Sequence, residues 1–325
     1  MKLTRRLFPT ALAATLATLT SLLPQAAFAA DYPSKPIEVI VPSSAGGGTD
    51  VMTRLFAEVA KKYISQPLVV SNKAGASGGI GMTEVARAAP DGYKIGVLIS
   101  ELAIIPHLGM TKITTADFIP LARLNGDPGL IAVRADSPLQ SIDELLAQAK
   151  KSPGTLTMGN AGTGTIWHLA AAAVEEKTGT KFNHVPFQGA APSVMALAGG
   201  HVDAITVSPA EIGSFVAAGK VRVLVSMADR RLPAPYDKVS TFREKGVDLV
   251  LGTWRGLGVP VGTPPEIVAY LRDATRKTAE DPAFRDALLK ANLQPAYMEG
   301  EQFQAFMNAS SGYFKKLLGD INIQK

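Results

Sequence analysis

The chain has 325 residues, 46% of them hydrophobic, with 33 Lys and Arg against 28 Asp and Glu, four His and no Cys. That much apolar material can bury a large core, and the length suggests two domains. The lack of cysteine excludes thiol catalysis, iron–sulfur clusters, thiolate zinc sites and disulfides, and four histidines restrict metal chemistry further. The first 29 residues contain Lys2, Arg5 and Arg6 but no acid, which leaves 30 basic against 28 acidic groups in the remainder. A balance so even, with its basic groups scattered, provides no electrostatic footprint for nucleic acid.

The N-terminal stretch reads as an export signal. Met1 to Arg6 is basic, Leu7 to Leu23 is apolar apart from Pro9 and several threonines, and Ala27-Phe28-Ala29 is a small-x-small site. Cleavage after Ala29 is expected, giving an exported, soluble mature chain from Ala30. Thr4-Arg5-Arg6-Leu7-Phe8 also resembles a twin-arginine signal. The apolar stretch is shorter than the ~20 residues needed to span a bilayer.

After the leader, short apolar runs alternate with amphipathic stretches, the pattern of βα units building mostly parallel sheets. Residues 37–41 read as a buried strand stopped by Pro42. Met52, Leu55, Phe56, Val59, Ala60 and Tyr63 then fall at spacings of three and four, which predicts a helix. Strands are expected at 68–70 and 95–98, with a helix over 80–88 between them.

The pattern restarts at 130–133, and Ser141 with Glu144 forms a capping box for a helix reaching 150. A strand at 156–158 leads to a helix over 165–178 that Gly179 can terminate in the left-handed conformation. Strands at 184–185, 204–206 and 221–226 alternate with helices at 190–198 and 208–217. Further on, Thr263 is expected to cap a helix with Pro264 in its first turn and Ile267, Leu271 and Ala274 on its buried stripe. Another helix opens at Asp281-Pro282, followed by a short strand near 294–298 and a last helix over 301–318.

Two segments carry binding chemistry. Ser43-Ser44-Ala45-Gly46-Gly47-Gly48-Thr49-Asp50 joins a strand to a helix through a Gly-rich turn. Backbone N–H groups at such a turn, with about half a positive charge from the helix start, suit an anion. The segment has neither a P-loop ending nor a Gly-x-Gly-x-x-Gly, so a nucleotide has little support. Asp50 or Thr49 can also be read as an ordinary N-cap. The second segment, Gly159-Asn160-Ala161-Gly162-Thr163-Gly164-Thr165, stands in the same position of a later unit, with His168 one turn into its helix. Two such starts from separate domains can converge on one carboxylate, because ligands of open α/β sheets bind past the carboxyl ends of the strands.

Catalytic alternatives are weaker. Gly75-Ala76-Ser77-Gly78-Gly79 fits a hydrolase nucleophile string, but the elbow needs a strand running directly into the serine, and Asn72-Lys73-Ala74 intervene. The histidines fall on different elements with no metal-ligand spacing, so no metal and no cofactor is expected.

At these residues the chain resembles the periplasmic solute receptors of tripartite tricarboxylate transporters, the Bug family. The matching pieces include Tyr32-Pro33-Ser34-Lys35-Pro36-Ile37, Gly46-Gly47-Gly48-Thr49-Asp50, Asn72-Lys73-Ala74-Gly75-Ala76-Ser77-Gly78-Gly79 and Ala89-Pro90-Asp91-Gly92-Tyr93. Asn160 to Thr165 with His168-Leu169-Ala170, His184-Val185-Pro186-Phe187-Gln188-Gly189, Gly199-Gly200-His201-Val202-Asp203, Ala218-Gly219-Lys220-Val221-Arg222, Thr253-Trp254 and Pro260-Val261-Gly262-Thr263-Pro264 belong to the same set.

The resemblance implies an α/β fold of two hinged domains, a type II-like Venus flytrap without enzymatic activity. It would act in the periplasm as a monomer, capturing a small carboxylate and handing it to membrane permease subunits. The implied domains are 30–130 with 255–325, and 131–254. One carboxylate would meet Ala45, Gly47, Gly48 and Thr49, while Asn160, Gly162, Thr163, Thr165 and His168 would close from the other side.

The chain departs from the family pattern at three places. Ser43-Ser44-Ala45 replaces a Phe-x-Pro, Ser100-Glu101 stands where a small polar residue and Gly are common, and Ser208 follows the strand after Asp203. Glu101 could therefore read a cationic group on a ligand, in a receptor of the same fold serving sensing rather than transport, or it could face solvent. Ser43, Ser44, Ser100, Glu101 and Ser208 join the expected ligand set on these grounds, and Asp50 joins it from the Gly-rich helix start.

Overall fold

A computed structural model describes residues 32–320, so the expected leader and its cleavage after Ala29 lie outside the described residues. The chain divides at Pro33, and the unit starting there holds every strand and helix among the described residues. It opens with β1 (Ile37–Val41), α1 (Gly48–Ala60), β2 (Leu68–Asn72), α2 (Gly79–Ala86), β3 (Lys94–Ile99) and β4 (Phe118–Pro128). Next come β5 (Leu130–Arg134), α3 (Ile142–Lys151), β6 (Thr157–Asn160), α4 (Ile166–Thr178), β7 (Asn183–Pro186), α5 (Ala190–Ala198), β8 (Ala204–Val207), α6 (Pro209–Ala217) and β9 (Val221–Ser226). The chain continues through β10 (Gly252–Pro260), α7 (Pro265–Glu280), α8 (Pro282–Lys290), β11 (Pro295–Glu299) and α9 (Gly300–Asp320).

These strands form two sheets. The first has the order β11-β4-β10-β3-β1-β2 and the second β7-β6-β8-β5-β9. The expected α/β class with two helix-flanked sheets holds, but the sheets are mixed and not mostly parallel, because β4, β5, β9, β10 and β11 enter by antiparallel pairing. β1 pairs in parallel with β2 and β3, while β10 runs antiparallel to β3 and β4. In the second sheet β6 is parallel to β7 and β8, and β5 is antiparallel to β8 and β9.

Burial follows the period of each element. Helix α1 buries Met52, Phe56, Val59 and Ala60, and Phe56 meets Phe284 of α8 edge-on at 5.8 Å. Helix α4 is buried at every position from Ile166 to Glu175, which places it centrally and explains why it lacks a polar stripe. Gly179 closes α4 in the left-handed conformation, as its position predicts. The cap of α7 differs from expectation. Pro264 is the N-cap and Pro265 the first helical residue, whereas Thr263 Oγ1 donates to Pro260 O at 2.8 Å within the preceding turn. Ser141 does accept Glu144 N–H, but the Glu144 carboxylate takes Gln140 N–H, one residue before the cap.

β4 and β10 are long strands that no apolar run announces. Gly256 of β10 lies so close to Ala122 O and the Phe303 ring that a Cβ there would collide with both. Trp254 anchors the same strand edge-on against Phe303 and Phe306, at 5.3 and 5.9 Å.

The two passages between the sheets run side by side. Gly129, between β4 and β5, donates to Leu251 O at 2.8 Å and accepts from Met227 N–H at 2.7 Å. Met227 lies just past β9 and Leu251 just before β10, so three chain segments are stitched together where the sheets join.

Candidate functional site

A cavity of about 340 Å³ lies where the two sheets' loops face each other. From the first sheet it is lined by Pro42 to Ser44, Gly47 to Thr49, Ala74 to Gly78, Ile99, Glu101, Thr253 and Arg255. From the second it takes Ala161 to Thr163, Thr165 to Trp167, Pro186 to Ala190 and Glu211. Both Gly-rich helix starts therefore reach one space. Gly47 is the N-cap of α1 and carries no capping side chain, which leaves its turn to backbone donors.

Polar contacts cross the cleft at its rim and floor. Ser77 Oγ donates to Thr163 O at 2.6 Å, and Ile166 N–H at the start of α4 donates to Glu101 Oε1 at 3.0 Å. The Glu101 Oε2 atom accepts from Ser100 Oγ at 3.1 Å, and Ser100 Oγ also bonds Thr253 Oγ1 at 3.0 Å. Glu101 is 6% exposed, and burial raises its pKa despite the Ile166 N–H and the nearby Arg255. Its carboxylate thus faces the cleft interior and not solvent.

Arg255 organises the floor. Its guanidinium donates from Nε to Thr49 Oγ1 at 3.0 Å and from Nη1 to Asn125 Oδ1 and Asp127 Oδ2, both at 2.6 Å. The remaining Nη2 lies 3.5 Å from Glu211 Oε1 on α6, across the cleft. Glu211 Oε2 accepts Ser208 N–H at 2.7 Å, and burial raises the Glu211 pKa against the field of Arg255. Gly48 is forced to be small here, since a Cβ would lie 2.9 Å from Arg255 Nη2 and 3.6 Å from Ala210 Cβ.

Of the expected ligand set, Ser43, Ser44, Gly47, Gly48, Thr49, Glu101, Gly162, Thr163 and Thr165 line the cavity, while Ala45, Asp50, Ser100, Asn160, His168 and Ser208 do not. Ala45 is exposed. Asp50 braces the loop from behind, accepting from Gly46 N–H, Arg54 and Asn72. Burial opposes its ionisation, but those bonds, Arg54 foremost, bring its pKa down. Ser100 is wholly buried against Thr253. Asn160 Oδ1 accepts Gly162 N–H at 2.9 Å, and Ser208 lies buried at the cap of α6, its N–H held by Glu211.

His168 also shapes the loop from within. Its Nδ1 accepts Gly164 N–H at 3.1 Å, its ring meets His184 edge-on at 4.9 Å, and burial followed by the His184 charge lowers its pKa to about 4. The ring is therefore neutral near pH 7. Thr165 Oγ1 donates to Gly162 O at 2.7 Å and caps α4 through His168 N–H. Ser77 is on the cavity wall in a short 3-10 turn with φ of 53°, and its hydroxyl is committed to Thr163 O.

Arg255, Thr253 and Glu211 are lining residues that the sequence reading did not single out. A lone arginine among glycines in Thr253-Trp254-Arg255-Gly256 was the available signal for the first. For Glu211 it was the spacing Ser208-x-x-Glu211, a capping box whose acid faces the cleft. Among the described residues no group of His, Asp or Glu is placed to hold a metal ion, and no helix is long and apolar enough to cross a membrane.

Two helix-flanked sheets joined by paired crossings, with an inter-sheet cavity offering helix starts to a ligand, define a solute-binding protein of the two-lobed class. The chain belongs to the tripartite tricarboxylate transporter receptor family, TctC, whose model matches residues 52–323. A curated relative from Cupriavidus necator, the UPF0065 protein in the gbd 5′ region, is 34% identical over 316 residues, covering 96% of this chain and 95% of that one. The crystal structure of a TctC solute-binding protein from Polaromonas, without ligand, is 51% identical with a TM-score of 0.68, covering 89% of this chain and all of the other. The R. palustris protein Rpa4515, solved with adipate, is 26% identical with a TM-score of 0.85 and covers 89% of this chain and 98% of its own.

Proposed function

We propose that this receptor works in the periplasm, without enzymatic activity and as a monomer, capturing a small carboxylate between two lobes and passing it to the permease subunits of a tripartite transporter. The lobes are 30–130 with 255–325, and 131–254. The observation that carries this reading is the meeting of two Gly-rich helix starts, Gly47–Thr49 and Gly162–Ile166, in one cavity. The adipate in the R. palustris relative supports a carboxylate as the class of ligand. The carboxylate sits at the open start of α1, beside Thr49 and the Arg255 guanidinium.

The adjoining passages at Gly129, Met227 and Leu251 are the hinge. The TM-scores support such a motion: the unliganded Polaromonas protein fits less well at 51% identity than the adipate-bound one does at 26%. A ligand that touches both lobes favours the closed arrangement by its differential contacts.

Calorimetry on the refolded, ligand-free protein with small carboxylates and their neutral amides tests the reading. Binding of an acid but not of its amide is expected, with at least a tenfold loss in Gly48→Ala, whose methyl would displace Arg255 Nη2. Unchanged affinity in Gly48→Ala would move the anion away from α1, and equal binding of acid and amide would discard the carboxylate.

A further inference from the structure

The helix start of α4 is already occupied. Glu101, from the first sheet, places Oε1 on Ile166 N–H at 3.0 Å, the position a ligand carboxylate would take at that helix. Two helix starts in the cavity carry no capping side chain, that of α1 at Gly47 and that of α5 at Gly189, and the α1 start has beside it an Arg255 whose Nε and Nη1 are committed to Thr49, Asn125 and Asp127.

The buried charge around that seat is unbalanced. Glu101 and Glu211 both line the cavity, and Asp127 lies behind them, with side-chain exposures of 5% for Glu211 and 0% for Asp127. Arg255 is the one basic residue in the lining, and it pairs closely with Asp127 at 2.6 Å and only at 3.5 Å with Glu211. Buried carboxylates demand either a proton or a cation. A dicarboxylate would bring a second negative charge toward Glu101 and Glu211, where repulsion in a desolvated cleft opposes it.

Resting on the carboxylate reading, we propose that the ligand is zwitterionic, with one carboxylate at the α1 start and one ammonium group between Glu101 and Glu211, and that this receptor rejects dicarboxylates. The ammonium supplies the missing positive charge, and the lobes bring Glu101 from one side and Glu211 from the other to meet it. Closure and charge recognition are then the same event. Burial raises the pKa of both glutamates, so their ionised forms lack the compensation that an ammonium between them would supply.

The test is calorimetry on the refolded protein with succinate, 4-aminobutyrate, butyrate and butylamine, extended to malate, adipate and the standard amino acids. At least one amino acid is expected to bind tenfold or more tightly than any of the dicarboxylates. Glu101→Gln and Glu211→Gln, each checked for native circular dichroism, should lower affinity for that amino acid at least tenfold and narrow the preference. Tight dicarboxylate binding without zwitterion preference would overturn the proposal and leave the carboxylate reading standing, and it would indicate protonated glutamates acting as donors. An amino-acid preference unchanged in both variants would also overturn it. Binding of amines lacking a carboxylate, or of none of these probes, would remove both readings.

Discussion

Glu101 and Ile166, 65 positions apart in the chain, are joined by a 3.0 Å bond from the first N–H of α4 to a carboxylate on the opposite lobe. The contact gives the receptor an internal counterpart of its own ligand. It satisfies an N–H that the helix cannot, and it does so only while the sheets face each other.

That arrangement holds Glu101 in conditions that disfavour its charge. Its folded pKa is raised above 4.5 by burial, so its stabilising contribution is full below pH 4.5 and is lost as pH rises through the folded value. Glu101→Gln keeps an acceptor for Ile166 and removes the charge. The unliganded variant is expected to be at least as stable as wild type at pH 7 in urea unfolding, with wild type gaining on it as pH falls toward 4.5. Glu101→Ala, which strands Ile166 N–H, should cost about 1–3 kcal/mol.

Arg255 is 2% exposed and compensates Asp127 at 2.6 Å. Arg255→Met leaves that acid, and Glu211, buried without a cationic partner, which should cost about 3–5 kcal/mol of stability. Adding Asp127→Asn to the variant should recover part of the loss. Equal denaturation midpoints for wild type and the single variant would show that the pair is not a net support of the fold.

Ser77 and Thr163 line the cleft from the loops of different sheets, and a hinge opening would break the 2.6 Å bond between them. Removing the hydroxyl with Ser77→Ala should weaken ligand binding by about threefold to tenfold, the worth of one neutral hydrogen bond of ~1 kcal/mol. The thermal midpoint of the unliganded protein should barely move. A binding constant that does not change would mean that the ligand-bound form lacks this contact.

His168 titrates against the fold. Its pKa falls from 6.5 unfolded to about 4 folded, so the unfolded chain takes up the proton first and stability declines as pH drops from 6.5 to 4. Subtracting His168→Asn, whose amide oxygen can still accept Gly164 N–H, isolates this contribution from those of the acids. The difference between the two stability curves should change by up to about 3 kcal/mol across that window. A flat difference would mean that the ring is not buried neutral.

Local periodicity was enough to recover much of the architecture. The apolar run of β1, the stripe of α1, the Gly179 stop of α4 and the Asp281-Pro282 start of α8 are all written in neighbouring residues, because strand and helix impose periods of two and 3.6 on burial. The Gly-rich loops were legible for the same reason, since a turn that exposes backbone donors has its own composition. β4 and β10 had no such signature. Phe-Ile-Pro-Leu-Ala-Arg-Leu-Asn-Gly-Asp-Pro and Gly-Thr-Trp-Arg-Gly-Leu-Gly-Val-Pro mix glycine, proline and charge, and they become strands because they pair with each other and with β3 and β11.

The polar floor of the cleft followed from those pairings. Arg255 meets Thr49 from 206 positions away and Asp127 from 128, distances along the chain that no spacing rule spans. Asp50 and His168 have residue types suited to a ligand, yet neighbouring donors in their own loops claim them. Glu101 and Glu211 face inward because the two sheets meet there. Residue types and short periods set what each segment could become, while the direction of a side chain into the cleft depends on which distant segment is packed behind it.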